Sequence, residues 1–246
     1  MNISILTTFP EMFDSVLNAS VLGRARQNGL IDVQAVDIRP FSASKHKNTD
    51  DYPFGGGAGM LMMAQPIADC IRAVQAQKKG TVIYMSPRGE KLTQRLAERL
   101  AQEEHLILLC GHYEGVDQRV LDGYVDMEVS VGDYVLTGGE TAAIVLVDCV
   151  SRLIPGVLGS AESAQDESFS TAGLLEYPQY TRPRVFEGTA VPQVLLDGDH
   201  AKINAWRRQQ ALLTTARRRP DMLVSAPITD RERRWLREQL EQDDPD

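Results

Sequence analysis

Along the first 160 positions, short continuous apolar runs alternate with longer stretches in which apolar residues recur every three to four places. The runs at residues 2–8, 31–36, 81–85, 105–110 and 125–130 are strand-length and predict five strands. Residues 66–77 and 91–102 have the helical period and predict amphipathic helices, the first with Pro66 at its start. The alternation predicts an α/β fold with a mostly parallel sheet. Periodicity does not give topology, and an unknotted chain is the default. After residue 160 the pattern changes. Residues 160–170, SAESAQDESFS, are acidic and poor in large apolar side chains, as in a linker or mobile loop. Beyond it, residues 199–217 have a helical pattern, and residues 229–241 read as a charged helix behind a capping Thr229. The expected organisation is a domain over 1–159, a flexible linker over 160–175 and a small, mainly helical domain over 176–246.

Composition narrows the class. No apolar run approaches the roughly 18–20 residues of a membrane span, and the amino terminus lacks the layout of a signal peptide. Cys70, Cys110 and Cys149 are odd in number and widely spaced, which speaks against a disulfide framework or zinc site and for the cytoplasm. The net charge of −8 disfavours a nucleic-acid partner until its distribution is considered. Between residues 181 and 220, eight basic residues (Arg182, Arg184, Lys202, Arg207, Arg208, Arg217, Arg218 and Arg219) face only Glu187, Asp197 and Asp199. Screening makes such a local excess matter more than the total.

Three glycine-bearing loops follow predicted strands: SPRG (86–89), CGHYEG (110–115) and SVGDYVLTGGE (130–140). In an open α/β sheet, ligands bind at loops on the carboxyl ends of strands, where glycine lets the backbone approach closely. Three convergent loops predict one pocket. No Walker A sequence occurs, and the run Gly55-Gly56-Gly57-Ala58-Gly59 follows Asp-Asp-Tyr-Pro-Phe rather than a strand, so it is not a dinucleotide fingerprint.

Those loops, with FPEMF (9–13), DDYPFGGGAGMLMMAQP (50–66), VSRLIPGVLG (150–159), GLLEYPQYTRP (173–183) and WRRQQAL (206–212), resemble the bacterial tRNA (guanine-N1)-methyltransferases, the TrmD family of the SPOUT class. The resemblance covers nearly the whole chain. It implies a deep trefoil knot, a homodimer whose sites are completed by the partner's linker and carboxyl-terminal domain, and activity linked to Mg²⁺. It further implies methyl transfer from S-adenosylmethionine to N1 of the guanosine at tRNA position 37, beside the anticodon. The methyl donor is then held by Tyr84, Met85, Ser86, Pro87, Gly111, Tyr113, Glu114, Val131, Gly132, Asp133, Tyr134, Val135, Leu136, Gly138 and Gly139.

The same resemblance assigns Arg152 to the target base, where a guanidinium would stabilise the charge that grows on O6 as N1 loses its proton. Glu167 takes the position of the general base, where the family usually has aspartate before Ser-Phe; Asp166 is the alternative. Other departures are His112 for arginine, Gln118 for glutamate and Ala142 for proline. His112 could add an RNA contact, but a simple surface histidine is the preferred reading. Lys45, His46 and Lys47 are further candidates for RNA phosphates, and Asp50, Asp51 and Asp133 for arginines or a divalent ion. Two other readings compete: a SPOUT ribose methyltransferase, and a non-catalytic RNA-binding protein that has lost its base.

Overall fold

The structure, a computed structural model, describes residues 1–159, 167–169 and 173–243. The chain forms two compact units, Met1–Gly159 and Ser160–Asp246.

In the first unit, β1 (Asn2–Thr7), β2 (Asp32–Asp37), β5 (Thr81–Lys91), β6 (His105–Cys110) and β7 (Met127–Ser130) form one sheet in the order β2-β1-β6-β5-β7, and every pairing is parallel. The short β3 (Asp50–Asp51) and β4 (Leu61–Met62) pair separately. Helices α1 (Asp14–Leu17), α2 (Ser20–Gln27), α3 (Ala64–Gln77), α4 (Gln94–Leu100), α5 (Gln118–Tyr124) and α6 (Gly139–Ser151) complete the unit. Parallel strands need crossovers, which place apolar helices on both faces and bury the central strands completely. β6 shows this. Leu106 and Leu108 join Leu96, Leu100, Leu146 and Val147 of α4 and α6 on one face. Ile107 and Leu109 alternate to the other, against Ile67, Ile71 and Val74 of α3 and Val120 of α5. Cutting any of these leucines or isoleucines back to alanine would cost about 2–5 kcal/mol.

Two boundaries differ from the periodic reading. β5 does not stop at Met85. It leaves the sheet at Ser86 and returns at Glu90, so that Met85 and Glu90 both lie opposite Val129. Gly89 lies so close to the β7 backbone that a Cβ there would collide with Glu128 and Val129. Because Lys91 still belongs to β5, α4 begins at Gln94, behind Thr93, whose hydroxyl accepts the Leu96 N–H at 3.3 Å. Helices α1, α2 and α5 lay outside the sequence reading.

The second unit packs Leu174, Leu212, Leu213, Ala226 and Leu236 around α7 (His200–Arg218) and α8 (Asp230–Asp243). A hairpin of β8 (Val185–Phe186) and β9 (Thr189–Ala190) precedes them. Asp199 caps α7 through the N–H groups of Ala201 and Lys202. Thr229 and Glu232 form a reciprocal capping box on α8, with Thr229 N–H to Glu232 Oε2 at 2.7 Å and Glu232 N–H to Thr229 Oγ1 at 3.2 Å. Among the described residues, no helix is long and apolar enough to cross a membrane.

Candidate active site

The first wall of the site is the excursion of β5 at Ser86 and Pro87. The second is the turn after β6. It is strapped to the segment beyond the glycine run by four backbone or sulfur contacts: Glu114 N–H to Met60 O (3.0 Å), Met62 N–H to Gly115 O (2.9 Å), Asp117 N–H to Met62 O (3.0 Å) and His112 N–H to Met62 Sδ (3.2 Å). Gly59 makes room for the Glu114 side chain. Of the glycine run, Gly59 thus serves the neighbouring loop. The third wall follows β7, where the Ser130 hydroxyl and the backbone of Gly132 bond each other and the Tyr134 phenol reaches Val131 O at 3.2 Å.

The second and third walls meet at Gly139. Its N–H donates to Gly111 O at 2.7 Å, and a Cβ there would stand 2.8 Å from Cys110 Cα. Only a residue without a side chain lets α6 start against the end of β6.

Between these walls lies a partly open cleft of about 260 Å³. Of the fifteen residues assigned to the methyl donor, all line it except Asp133, whose carboxylate is exposed and pairs with Lys91 Nζ at 3.0 Å. His112, Gly115, Val129, Ser130, Thr137 and Ala142 add to the lining. No lysine or arginine is among the lining residues, so the cleft suits a ligand without phosphate, held by backbone groups and apolar walls. Burial pushes the Tyr84 phenol up, and the Glu128 carboxylate adds to the effect. Burial, followed by Glu140, pushes the Cys110 thiol well up. Cys110 therefore stays protonated and is no nucleophile. Among the described residues, no group of three or more His, Cys, Asp or Glu is placed to hold a metal ion.

His112 is not the surface histidine expected from sequence. Its ring lies 4.7 Å from that of Phe9 and edge-on to Tyr113 at 5.2 Å, and its Nδ1 faces Glu140 Oε2 at 3.7 Å. Glu140, in the first turn of α6, is 1% exposed and accepts the Thr7 hydroxyl at 2.8 Å. That hydroxyl in turn accepts the Phe9 N–H at 2.9 Å. This cluster was missed because Thr7 and Glu140 are 133 residues apart; the GGE that opens α6 was its only trace.

Arg152 closes α6, half-buried, with its N–H on Asp148 O at 3.2 Å. Glu167 belongs to the second unit and is half-buried. Its neighbours are fixed there: Ser168 Oγ accepts the Glu176 N–H at 2.9 Å, and the Phe169 N–H donates to Leu174 O at 3.0 Å. Asp166 and most of the 160–170 segment lie outside the described residues. The basic excess of this unit is smaller than the sequence count. Arg208 pairs with Glu232 (2.7 Å), Arg219 with Asp221 (2.7 Å) and Lys202 with Asp199 (3.3 Å), while Arg207 stacks 4.9 Å from the Tyr177 ring. Arg182, Arg184 and Arg218 are exposed.

The sequence model of one protein family, described as tRNA (Guanine-1)-methyltransferase TrmD, matches residues 1–225. A protein of Ruminiclostridium cellulolyticum named tRNA (guanine-N(1)-)-methyltransferase is 56% identical over 92% of this chain and 98% of its own. Proteins of the same name from Clostridium perfringens (54% identical, 96% of this chain, 99% of theirs) and Moorella thermoacetica (54%, 97% and 96%) are similar to the same extent.

Proposed function

Because the chain belongs to the tRNA (Guanine-1)-methyltransferase TrmD family, we propose that it transfers the methyl group of S-adenosylmethionine to N1 of the guanosine at tRNA position 37. The observation that carries this reading is the cleft itself. Three sheet-borne walls converge on a site with the phenols of Tyr84, Tyr113 and Tyr134, the Glu114 carboxylate, backbone amides and carbonyls, apolar side chains and no lysine or arginine, which fits an adenosine-bearing donor without phosphate. Bound there, S-adenosylmethionine supplies a methyl group activated by its sulfonium. The walls at Ser86, Gly111 to Glu114 and Val131 to Gly139 bind and orient it and exclude water from one side.

Guanine N1 carries a proton and is a weak nucleophile at neutral pH. Glu167 accepts that proton on its carboxylate as the N1–methyl bond forms and the methyl–sulfur bond breaks, leaving neutral S-adenosylhomocysteine, and Arg152 stabilises the negative charge that moves onto O6. The target base is splayed from the anticodon loop so that its Watson–Crick edge is accessible, with a guanosine as the preceding nucleotide. The exposed Arg182, Arg184 and Arg218 meet tRNA phosphates. The working form is a cytoplasmic homodimer, the linker and carboxyl-terminal part of one copy completing the pocket of the other. The trefoil knot belongs to the same reading, supported by α6 starting against the end of β6 after a loop from β7. For the Mg²⁺ that the resemblance implies, no group of three or more His, Cys, Asp or Glu occurs among the described residues, and no step is routed through it.

Single-turnover methylation of a tRNA transcript, with the product nucleoside mapped, tests the proposal. One N1-methylguanosine at position 37 is expected. Replacing Glu167 by glutamine should slow the chemical step by about 100-fold or more while tRNA and donor affinities hold. A 2′-O-methyl product would make the chain a ribose methyltransferase. Tight tRNA binding without any product would make it a non-catalytic RNA-binding protein.

A further inference from the structure

A buried carboxylate that the methyl-transfer chemistry does not use lies directly beneath the cleft. Glu140 is 1% exposed, and leaving a charge there without compensation is costly. Two features compensate it: the Thr7 hydroxyl, donating to Oε1 at 2.8 Å, and its place in the first turn of the thirteen-residue α6, at the positive end of the helix dipole. The second oxygen, Oε2, points at His112 Nδ1 across 3.7 Å. That is longer than a hydrogen bond. Nδ1 is nevertheless buried and has no hydrogen-bond partner among the described residues.

The pair sits where two walls of the cleft join. Gly138, of the third wall, is wedged against both side chains, since a Cβ on it would meet Glu140 Oε2 and lie 2.5 Å from His112 Nδ1. His112 belongs to the second wall, lines the cleft, and is hemmed in by the rings of Phe9 and Tyr113. Thr7 ties the carboxylate to the end of β1, and through the Phe9 N–H to the chain that carries the Phe9 ring. An acceptor fixed on this side of the ring selects the tautomer with the proton on Nδ1.

We propose that Glu140, anchored by Thr7, is a positioning residue for the methyl-donor pocket: it accepts the Nδ1–H of His112 and so locks the second wall to the third around the bound donor. The proposal rests on the reading of the cleft as the donor site. Apo hydrogen bonds of this kind are commonly long and tighten in the complex, so the gap between Nδ1 and Oε2 closes as the ligand fills the cleft. Glu140 touches neither donor nor RNA in this scheme. Its effect runs through the orientation of His112, and it should therefore appear in donor affinity rather than in the rate of the chemical step.

Calorimetry of S-adenosylhomocysteine binding to the full chain tests this. The wild-type protein must bind; a folded wild type that does not bind would overturn the reading of the cleft itself. Given binding, Glu140→Gln keeps an acceptor for Thr7 but turns a donor toward His112, and should raise Kd by about 10-fold or more, as loss of a charged hydrogen bond does. His112→Gln should do the same. His112→Asn, whose amide nitrogen falls near the position of Nδ1, should lose clearly less than His112→Gln. The double variant Glu140→Gln/His112→Gln should bind no more weakly than the worse single variant. In steady state the loss should appear as a raised KM for the donor with kcat little changed. If Glu140 only anchors α6 to β1, the two losses add, asparagine and glutamine at 112 are equivalent, and the melting temperature falls in step with affinity. Any of those results overturns the proposal. Should Glu140→Gln fail to fold, the asparagine–glutamine comparison at His112 decides alone.

Discussion

Replacing Gly139 by alanine should open the donor cleft. An alanine Cβ at that position would stand 2.8 Å from Cys110 Cα and 3.0 Å from Gly111 N. Non-bonded carbons sit best at about 3.5–4.0 Å, so the backbones must part by about 0.7 Å or more. Neither neighbour is a flexible side chain that can swing aside; both are backbone at the end of a fully buried strand. Overpacking of this kind typically costs about 1–3 kcal/mol. The same displacement stretches the 2.7 Å bond from Gly139 N–H to Gly111 O, and a buried amide left without its partner costs about 1–3 kcal/mol more. Together the strain is on the order of 2–6 kcal/mol, partly relieved when the second and third walls separate. Relief by separation is what the ligand then has to undo. Binding of S-adenosylhomocysteine should weaken about 10-fold for each 1.4 kcal/mol so relieved, and thermal unfolding of the variant should begin earlier. Gly123→Ala is the control. It lies inside α5 with nothing within 4 Å of its added Cβ, and should stabilise by about 0.4–1 kcal/mol without touching affinity. Wild-type affinity and melting temperature in Gly139→Ala would refute the argument from close approach.

Other outcomes follow from the second unit. Replacing Arg182, Arg184 and Arg218 together by alanine should weaken tRNA binding and lower the slope of log affinity against log salt by about 0.7–0.9 for each phosphate that is no longer neutralised; an unchanged slope would reduce them to a solvated face. Arg219→Ala should matter less, because that guanidinium already serves Asp221. Glu232 is held down to about 2, first by Arg208 and then by Thr229, against an ordinary 4.5. A depressed carboxylate stabilises the fold above its unfolded value, so this contribution is complete above about pH 4.5 and is lost as the pH falls toward 2. Thermal unfolding followed across that window should show the loss, and Glu232→Gln should flatten it.

The strands were legible because a parallel sheet buries both faces and leaves unbroken apolar runs, as in residues 105–110, which became β6 with the same bounds. The helices over residues 199–217 and 229–241 were legible for the opposite reason, a capping residue followed by a mixed face, and α7 and α8 differ from them by one or two residues. What failed was the tail of β5. Ser86, Pro87 and Gly89 are turn formers, and only the pairing of Glu90 with Val129 shows that the strand resumes. Helix α5 buries only the adjacent Val120 and Leu121, which do not mark a helical face. At the site, the loops announced themselves through glycine, whereas the histidine, the buried carboxylate and the threonine beneath them did not. Each of those three is ordinary in its own stretch of sequence and acquires meaning only through its neighbours in space.

The return of β5 to the sheet has a consequence for how the cleft meets its ligand. A loop hung from one strand end samples many shapes, and a ligand must select one at an entropic cost. Residues 86–89 are clamped at both ends to the same partner strand, with Val129 opposite both Met85 and Glu90. The Ser86 hydroxyl accepts the Arg88 N–H at 3.2 Å, and the Arg88 guanidinium reaches Glu128 at 3.3 Å. This wall is ordered before anything binds, so its share of the ordering penalty is already met by folding. The same double clamp fixes its length. One residue more or fewer between Met85 and Glu90 would flip the later part of the strand to the opposite face, so this stretch should tolerate changes of side chain at exposed positions but neither insertion nor deletion.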